Sequence, residues 1–451
     1  MTANWKSSSF LLVGILLWSG HSVGHQGDRV LQVAPEDENQ AAFIRSLLTS
    51  LPLHLWRPAT AEDIQPGTQV HVQVPGGHLQ KLEWGLQDQA VQHRTLIADV
   101  HSLLKMQVPG IHTLSLDSYN YSTYHPADQI TNWMVEVALR HPDVVQLHLL
   151  GQTYEKKNIL YLKIGNRSEQ PKKIIWMDCG IHAREWISPA FCQWFVKEIL
   201  QTYKSDAKVS RYLQDMDFYI VPVLNIDGYI YSWQTNRLWR KSRSIYPGNA
   251  CFGTDLNRNF DSAWCSVGAS RDPCSETYCG PRAESESEVK AVANLVRSRK
   301  ADIVCFFTIH SYGQLILMPY GHPDKNASNF KELLDLGLRA AEAIKKKHGT
   351  TYRVGPPSSI LYNNSGSSRD WARDMGIPFS YTLELRDNGT HGFLLPEEQI
   401  EATCQEAQAG VMLIVESVHA KYFSGATALA SLWLTITASY VAGWALTRGN
   451  L

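Results

Sequence analysis

This chain has no surplus of charge. Its 42 Lys and Arg stand against 43 Asp and Glu, for a net charge of −1. That balance excludes the basic footprint of a nucleic-acid binder, so no nucleic-acid partner is expected, and it excludes an acidic solvating tail. There is no His-Glu-x-x-His, the helical signature of zinc endopeptidases, and no Cys-x-x-Cys, so a thiolate zinc site is excluded. Internal repeats and low-complexity tracts are missing as well. With 44% apolar residues in 451, the chain can bury a sizeable core.

Long apolar runs are confined to the two ends. Lys6, the run Phe10 to Trp18 and the small residues Ser22-Val23-Gly24 make the parts of a secretory signal, so residues 1–24 read as a cleaved signal peptide. The run is shorter than the ~20 residues a membrane span needs. From Tyr422 to Thr447 no residue is charged, and Ser424-Gly425-Ala426 stands before a stretch long enough to cross a bilayer. Residues 424–451 therefore read as a GPI-anchor signal with Ser424 as the candidate attachment residue. The usual polar spacer is nearly missing, so a transmembrane tail and a buried terminal helix stay open. The expected location is the secretory pathway and then the extracellular face of the plasma membrane, held by the C-terminus. Eight cysteines, four of them between Cys251 and Cys279, fit an exported chain in which such clusters form disulfides. Sequons at Asn120, Asn166, Asn326, Asn363 and Asn388 are candidate glycosylation sites.

Between the ends, residues 28–105 hold no cysteine and alternate strand-like runs (28–33, 68–74) with helical ones (39–51, 87–104). They are expected to form a small α+β domain, followed by a linker at Val108-Pro109-Gly110. Residues 115–422 carry helical patterns at 127–140, 189–202, 285–297, 330–347 and 396–418. Apolar strand candidates fall between them at 144–150, 159–164, 173–177, 218–223, 303–308 and 380–385. The fold class expected is α/β, a mixed central sheet with helices on both faces. Sites in such folds gather at the carboxyl ends of strands.

The segment after the strand at 173–177 reads Asp178-Cys-Gly-Ile-His-Ala-Arg-Glu-Trp-Ile, with His182 and Glu185 three residues apart on one side of a turn. Imidazole and carboxylate are zinc ligands, and sites with two His and one Glu leave a position for water. A third ligand should emerge from another strand end, where His310 stands. The further segments Asn225-Ile-Asp-Gly-Tyr, Asn236-Arg-Leu-Trp-Arg-Lys-Ser-Arg, Gly253-Thr-Asp-Leu-Asn-Arg-Asn-Phe, Ile309-His-Ser-Tyr-Gly-Gln and Leu383-Glu-Leu-Arg-Asp follow in order. Together these segments resemble the A/B-type zinc metallocarboxypeptidases over about 115–422, and more loosely that family's folded inhibitory pro-region over 28–105.

The resemblance implies an exopeptidase that removes single residues from peptide C-termini, works as a monomer and carries one Zn2+ per chain. It places zinc on His182, Glu185 and His310, makes Glu384 the general base, and gives Arg240 the developing oxyanion. Asp255 would orient the first His, while Asn257 and Arg258 would hold the terminal carboxylate of the substrate. Tyr362 would close over it, and Arg184 would touch it more peripherally. The disulfides implied are Cys179–Cys192, Cys251–Cys274 and Cys265–Cys279. Cys305, in an apolar strand, and Cys404, in a helix, are expected to be buried thiols. In that family the position before the Asp-Trp pair lies at the base of the specificity pocket, apolar or acidic according to the residue removed. Arg369 stands there, which implies a preference for C-terminal Glu and Asp.

Blander readings compete. Glu384 could be a charge paired with Arg386. Arg240 could belong to a solvated face with Arg237, Lys241 and Arg243, and Arg369 could point outward to Asp370 or Asp374. A catalytically silent cell-surface binding module should have lost a ligand or the base, and here none is lost. Between Arg94 and Arg140 the only Lys or Arg is Lys105, so trypsin-like release of the pro-region is expected to be inefficient, to use Lys105 or to be unnecessary.

Overall fold

The computed structural model describes residues 27–58, 60–102, 116–248 and 250–423. The signal-peptide run, Lys105, the linker at 108–110, Ser424 and the apolar tail lie outside the described residues. No helix among the described residues is long and apolar enough to cross a membrane.

The first unit is a four-stranded antiparallel sheet. Its strands β1 (Arg29–Ala34), β2 (His54–Arg57), β3 (Val70–Val74) and β4 (Gln92–Ile97) lie in the order β2-β3-β1-β4. Helices Glu38–Ser50 and Leu79–Asp88 supply Ala41, Ile44, Leu82 and Leu86 to a core shared with Leu31, Val33 and Val72 of the sheet. The first helix starts where Asp37 accepts a hydrogen bond from the Gln40 N–H at 2.8 Å, one of the donors a helix start leaves unpaired. The helix expected at 87–104 is corrected. The helix ends at Asp88, Ala90 turns the chain through the left-handed region at φ 52°, and 92–97 pairs with β1 instead. The apolar spacing that imitated a helical face is used between units: Ile97 and Val100 pack with Trp56, Tyr312, Phe393 and Leu394.

The second unit is built on eight strands: β5 (Val145–Gln152), β6 (Asn158–Ile164), β7 (Lys173–Cys179), β8 (Met216–Val221), β9 (Ile303–Ser311), β10 (Leu315–Leu317), β11 (Arg353–Gly355) and β12 (Phe379–Leu385). Their order is β11-β10-β12-β9-β7-β8-β6-β5. The central strands β12, β9, β7 and β8 are parallel, and β10 and β6 flank them antiparallel. Every residue of β8 and β9 is buried, the signature of strands covered on both faces. Alternate residues part to opposite faces. Ile175, Met177, Cys305 and Phe307 join helices Ala127–Arg140, Ile187–Thr202, Phe330–His348 and residues 400–423. Ile174, Trp176 and Phe306 join Ser287–Arg299 and Ser368–Asp374. The sheet is thus mixed, with helices on both faces.

Three disulfides, Cys179–Cys192, Cys251–Cys274 and Cys265–Cys279, close separations of 13, 23 and 14 residues. In the chain-entropy account each such loop contributes roughly 3 kcal/mol. Cys305 and Cys404 are buried thiols.

Candidate active site

The site forms where β7, β9 and β12 end. Gly180 takes φ 65° immediately after β7, and a Cβ there would meet the Pro189 ring at 3.1 Å, so the tight exit that swings His182 inward suits glycine. Ser188 pins this turn: its Oγ accepts from the Gly180 N–H at 3.0 Å and donates to the Ile309 carbonyl of β9 at 2.5 Å. His310 stands one residue before the end of β9 and is paired in register with Glu384 of β12. Parallel pairing therefore fixes the third ligand candidate beside the base candidate.

His182, Glu185 and His310 are buried together, with candidate ligand atoms all within 4.8 Å of one another. Glu185 Oε1 lies 2.7 Å from His182 Nδ1, and its Oε2 lies 3.1 Å from His310 Nδ1. The two Nδ1 atoms face each other at 3.1 Å. Each ring is held from behind. His182 Nε2 is 3.1 Å from Asp255 Oδ1. His310 Nε2 is 3.2 Å from Thr308 Oγ1, whose own hydroxyl donates to Asp178 at 2.9 Å. These partners keep the protons on Nε2 and leave both Nδ1 lone pairs converging beside a carboxylate. Three electron-rich atoms so close repel one another unless a cation lies between them. The donor set of two His and one Glu fits zinc.

Charge is arranged around this cluster. Glu384 is pushed up to about 8, first by burial and then by the charge of Glu185. Asp255 is fully buried, yet Arg240, His182 and Arg258 keep it ionised. Arg240 donates to Asp255 Oδ2 through Nε at 3.1 Å and through NH2 at 2.8 Å, and its NH1 stands 4.0 Å from Glu185. A solvated face is ruled out for Arg240 and Lys241, which are both buried. Arg386 binds Glu406 at 2.6 and 2.8 Å rather than Glu384.

Next to the cluster, Asp255 caps the short turn Leu256–Arg258 by accepting the Asn257 N–H at 2.9 Å. Arg258 donates from Nε to the Gly268 carbonyl and from NH1 to the Asn257 carbonyl, while its buried NH2 has no hydrogen-bond partner among the described residues. Such an unpaired donor is costly in isolation and is ready for an anion. Arg184 lies over the Phe393 ring at 4.1 Å and 3.6 Å from Glu276. Arg369 is only 2% exposed. Its Nε donates to Asp370 Oδ1 at 2.9 Å, and NH1 and NH2 reach Thr382, Ser367 and Asn364 at 3.2 to 3.4 Å. The Asp370 partner foreseen in the outward-pointing reading is thus present, but inside the molecule.

One cleft is lined by His182, Arg184, Glu185, Arg240, Asn257, Arg258, His310, Tyr362, Arg369 and Glu384, and Asp255 stands behind it. Among the sequons, Asn120, Asn326 and Asn388 are exposed, and Asn166 and Asn363 are half-buried. The sequence reading missed several lining residues. Tyr312 lay inside a quoted motif, and Asn364 and Thr382 lay near Tyr362 and Glu384. Trp56 and Arg57 come from β2 of the first unit, a four-residue strand with no signal that it would reach across.

Comparison with known proteins agrees with this geometry. A family model described as zinc carboxypeptidase matches residues 130–410, and one described as carboxypeptidase activation peptide matches 31–107. The chain is 59% identical to carboxypeptidase O of Bos taurus over 68% of this chain and 82% of that protein. It is 54% identical to carboxypeptidase O of Homo sapiens over 78% of this chain and 90% of that one. The crystal structure of thrombin activatable fibrinolysis inhibitor superposes with a TM-score of 0.83 at 40% identity, covering 87% of this chain and 99% of that chain. The chain therefore belongs to the zinc carboxypeptidase family, as a hydrolase that carries an activation-peptide domain ahead of its catalytic domain.

Proposed function

We propose that this carboxypeptidase removes single C-terminal residues with a preference for Glu and Asp, and that Arg369 is the reason. The observation carrying the preference is a buried guanidinium lining the same cleft as the unpaired Arg258 donor. In this reading Arg258 NH2 and Asn257 hold the terminal carboxylate, which restricts the enzyme to chain ends. Arg369 receives the side-chain carboxylate, and Tyr362 closes over the bound residue. His182, Glu185 and His310 would hold zinc, which when bound would supply Lewis-acid polarisation of the scissile carbonyl and a lowered pKa for water at the site. Glu384 accepts the proton of the attacking water as the new C–O bond forms and the carbonyl pair moves to oxygen, and returns that proton to the amine nitrogen as the carbonyl re-forms and the C–N bond breaks. Arg240 carries the negative charge that develops on the carbonyl oxygen, its direction preset by Asp255.

The test is C-terminal amidation. A peptide ending in free Glu should be trimmed, and the same peptide ending in Glu amide should be inert, because Arg258 and Asn257 lose their carboxylate. Trimming of both at similar rates refutes the clamp. We further read 28–105 as the pro-region, 115–422 as the catalytic domain and Ser424 as a lipid-anchor site. Release of the protein from cells by a phosphatidylinositol-specific phospholipase checks the anchor. Retention on the cell with an epitope at Leu451 intact contradicts it.

A further inference from the structure

Arg369 does not stand alone. It belongs to a closed circuit of hydrogen bonds. Asp370 Oδ1 accepts from Arg369 Nε at 2.9 Å, and Asp370 Oδ2 accepts from the Gly321 N–H at 2.9 Å. The Gly321 carbonyl accepts from the Asn364 N–H at 3.0 Å, and Asn364 Oδ1 accepts from Arg369 NH2 at 3.4 Å. The fit is tight: a Cβ added at Gly321 would fall 2.3 Å from Asn364 Oδ1. The same carboxamide uses its other end on the closing tyrosine, since Asn364 Nδ2 donates to the Tyr362 carbonyl at 3.1 Å. Asn364 is buried and lines the cleft.

We infer that Asn364 is a specificity-determining residue of this pocket, acting as a neutral acceptor that aims the Arg369 guanidinium without discharging it. This rests on the reading that Arg369 receives acidic side chains. Asp370 already gives the guanidinium one carboxylate partner. A second anion inside the circuit would leave an incoming Glu or Asp facing a net negative site. The NH2 group also has the Asp370 carboxylate at 2.9 Å and the Ser367 hydroxyl at 3.3 Å, and the neutral Asn364 oxygen, at 3.4 Å the longest of the three contacts, is the one a substrate carboxylate displaces, because charge-assisted hydrogen bonds are shorter and roughly twice as strong as neutral ones. When it is displaced, the carboxamide that also holds the Tyr362 backbone is released. Occupation of the pocket by a carboxylate is thereby linked to the loop that closes over it.

The experiment compares the full chain with Asn364→Asp and Asn364→Ala on otherwise identical peptides ending in Glu and Leu, with kcat and KM resolved and zinc content and Tm recorded. Asn364→Asp is nearly isosteric and changes the charge. Its Glu-over-Leu ratio of kcat/KM should fall at least tenfold, chiefly through the KM of the Glu peptide. Asn364→Ala should lose less, giving the order Asn, Ala, Asp. If the Asp variant does not fold, the Ala variant decides alone: a KM rise confined to the Glu peptide supports the inference, and equal losses on both peptides overturn it. A wild type that favours Glu while the Asp variant keeps the same ratio refutes the role of Asn364 and leaves that of Arg369 standing. A wild type without a preference for Glu instead removes the reading of Arg369, and this inference with it.

Discussion

Reversing the charge at Arg369 is expected to change what the enzyme removes and how stable it is, by amounts the structure sets separately. Hydrogen bonds to charged groups contribute ~1.5–3 kcal/mol each, and an ion left unpaired when an apolar side chain enters the pocket adds to the difference. The Asp370 carboxylate 2.9 Å away already takes part of the Arg369 charge, so the lower half of that range applies. A wild-type preference for Glu over Leu of roughly ten- to fortyfold in kcat/KM follows, at about tenfold per 1.4 kcal/mol. In Arg369→Asp the pocket holds two neighbouring carboxylates, so Lys should overtake Glu. Stability falls as well. Both partners of the Arg369–Asp370 pair are about 3% exposed in their side chains, and breaking a buried pair costs about 3–5 kcal/mol by stranding the remaining charge. Adding Asp370→Asn to Arg369→Leu should recover part of that loss. The assays are kcat/KM on peptides ending in Glu, Leu and Lys, and thermal unfolding of the same preparations. An unchanged preference order in Arg369→Asp, with the protein folded and zinc bound, refutes the reasoning.

Two further outcomes are expected. Glu384→Gln should lower kcat by at least a hundredfold while zinc content by elemental analysis stays at one per chain, because the substitution removes the proton acceptor and none of the three ligand candidates; near-normal turnover contradicts the role of Glu384. Glu288 sits in helix Ser287–Arg299 with a buried Oε2 that has no hydrogen-bond partner among the described residues, and burial followed by the charge of Glu286 pushes its carboxyl up to about 8. A raised carboxyl binds its proton more tightly in the folded state. Its favourable contribution is therefore full below the ordinary value of 4.5 and is lost as pH rises through about 8. Glu288→Gln should gain roughly 4 kcal/mol over wild type at pH 8 and little at pH 4.5, read by denaturant unfolding across pH; a constant difference between the two proteins argues against the titration.

The legible part of this molecule was local in sequence. His182 and Glu185 share one turn, Asn257 and Arg258 share another, and each is written into a contiguous segment whose strand or turn context can be read directly. The pairing of β9 with β12, which sets His310 beside Glu384, follows once both are recognised as buried parallel strands. The missed features depend on partners far away in the chain. Residues 92–97 read as a helix because Ile97 and Val100 have apolar spacing, yet their partners are Tyr312 and Phe393 of the other unit. Strands β10 and β11 are three residues each, too short for a periodic signal. Asp227 and Gly228 hid the helix Ile226–Gln234, which starts because Asn225 caps it through the Gly228 N–H. Arg57 enters the cleft from β2, and Asn364 closes the circuit around Arg369 through Gly321, 43 residues earlier in the chain; neither contact has a local pattern.

The most direct measurement is one competitive digestion. An equimolar mixture of peptides identical except for C-terminal Glu, Leu or Lys is incubated with zinc-loaded protein, and the products are followed by mass spectrometry, with a chelated sample alongside. Loss of a single residue is expected, from the Glu peptide first and by at least tenfold, with no change in the chelated sample. Earlier loss from the Leu or Lys peptide, internal cleavage, or full activity under chelation would contradict it.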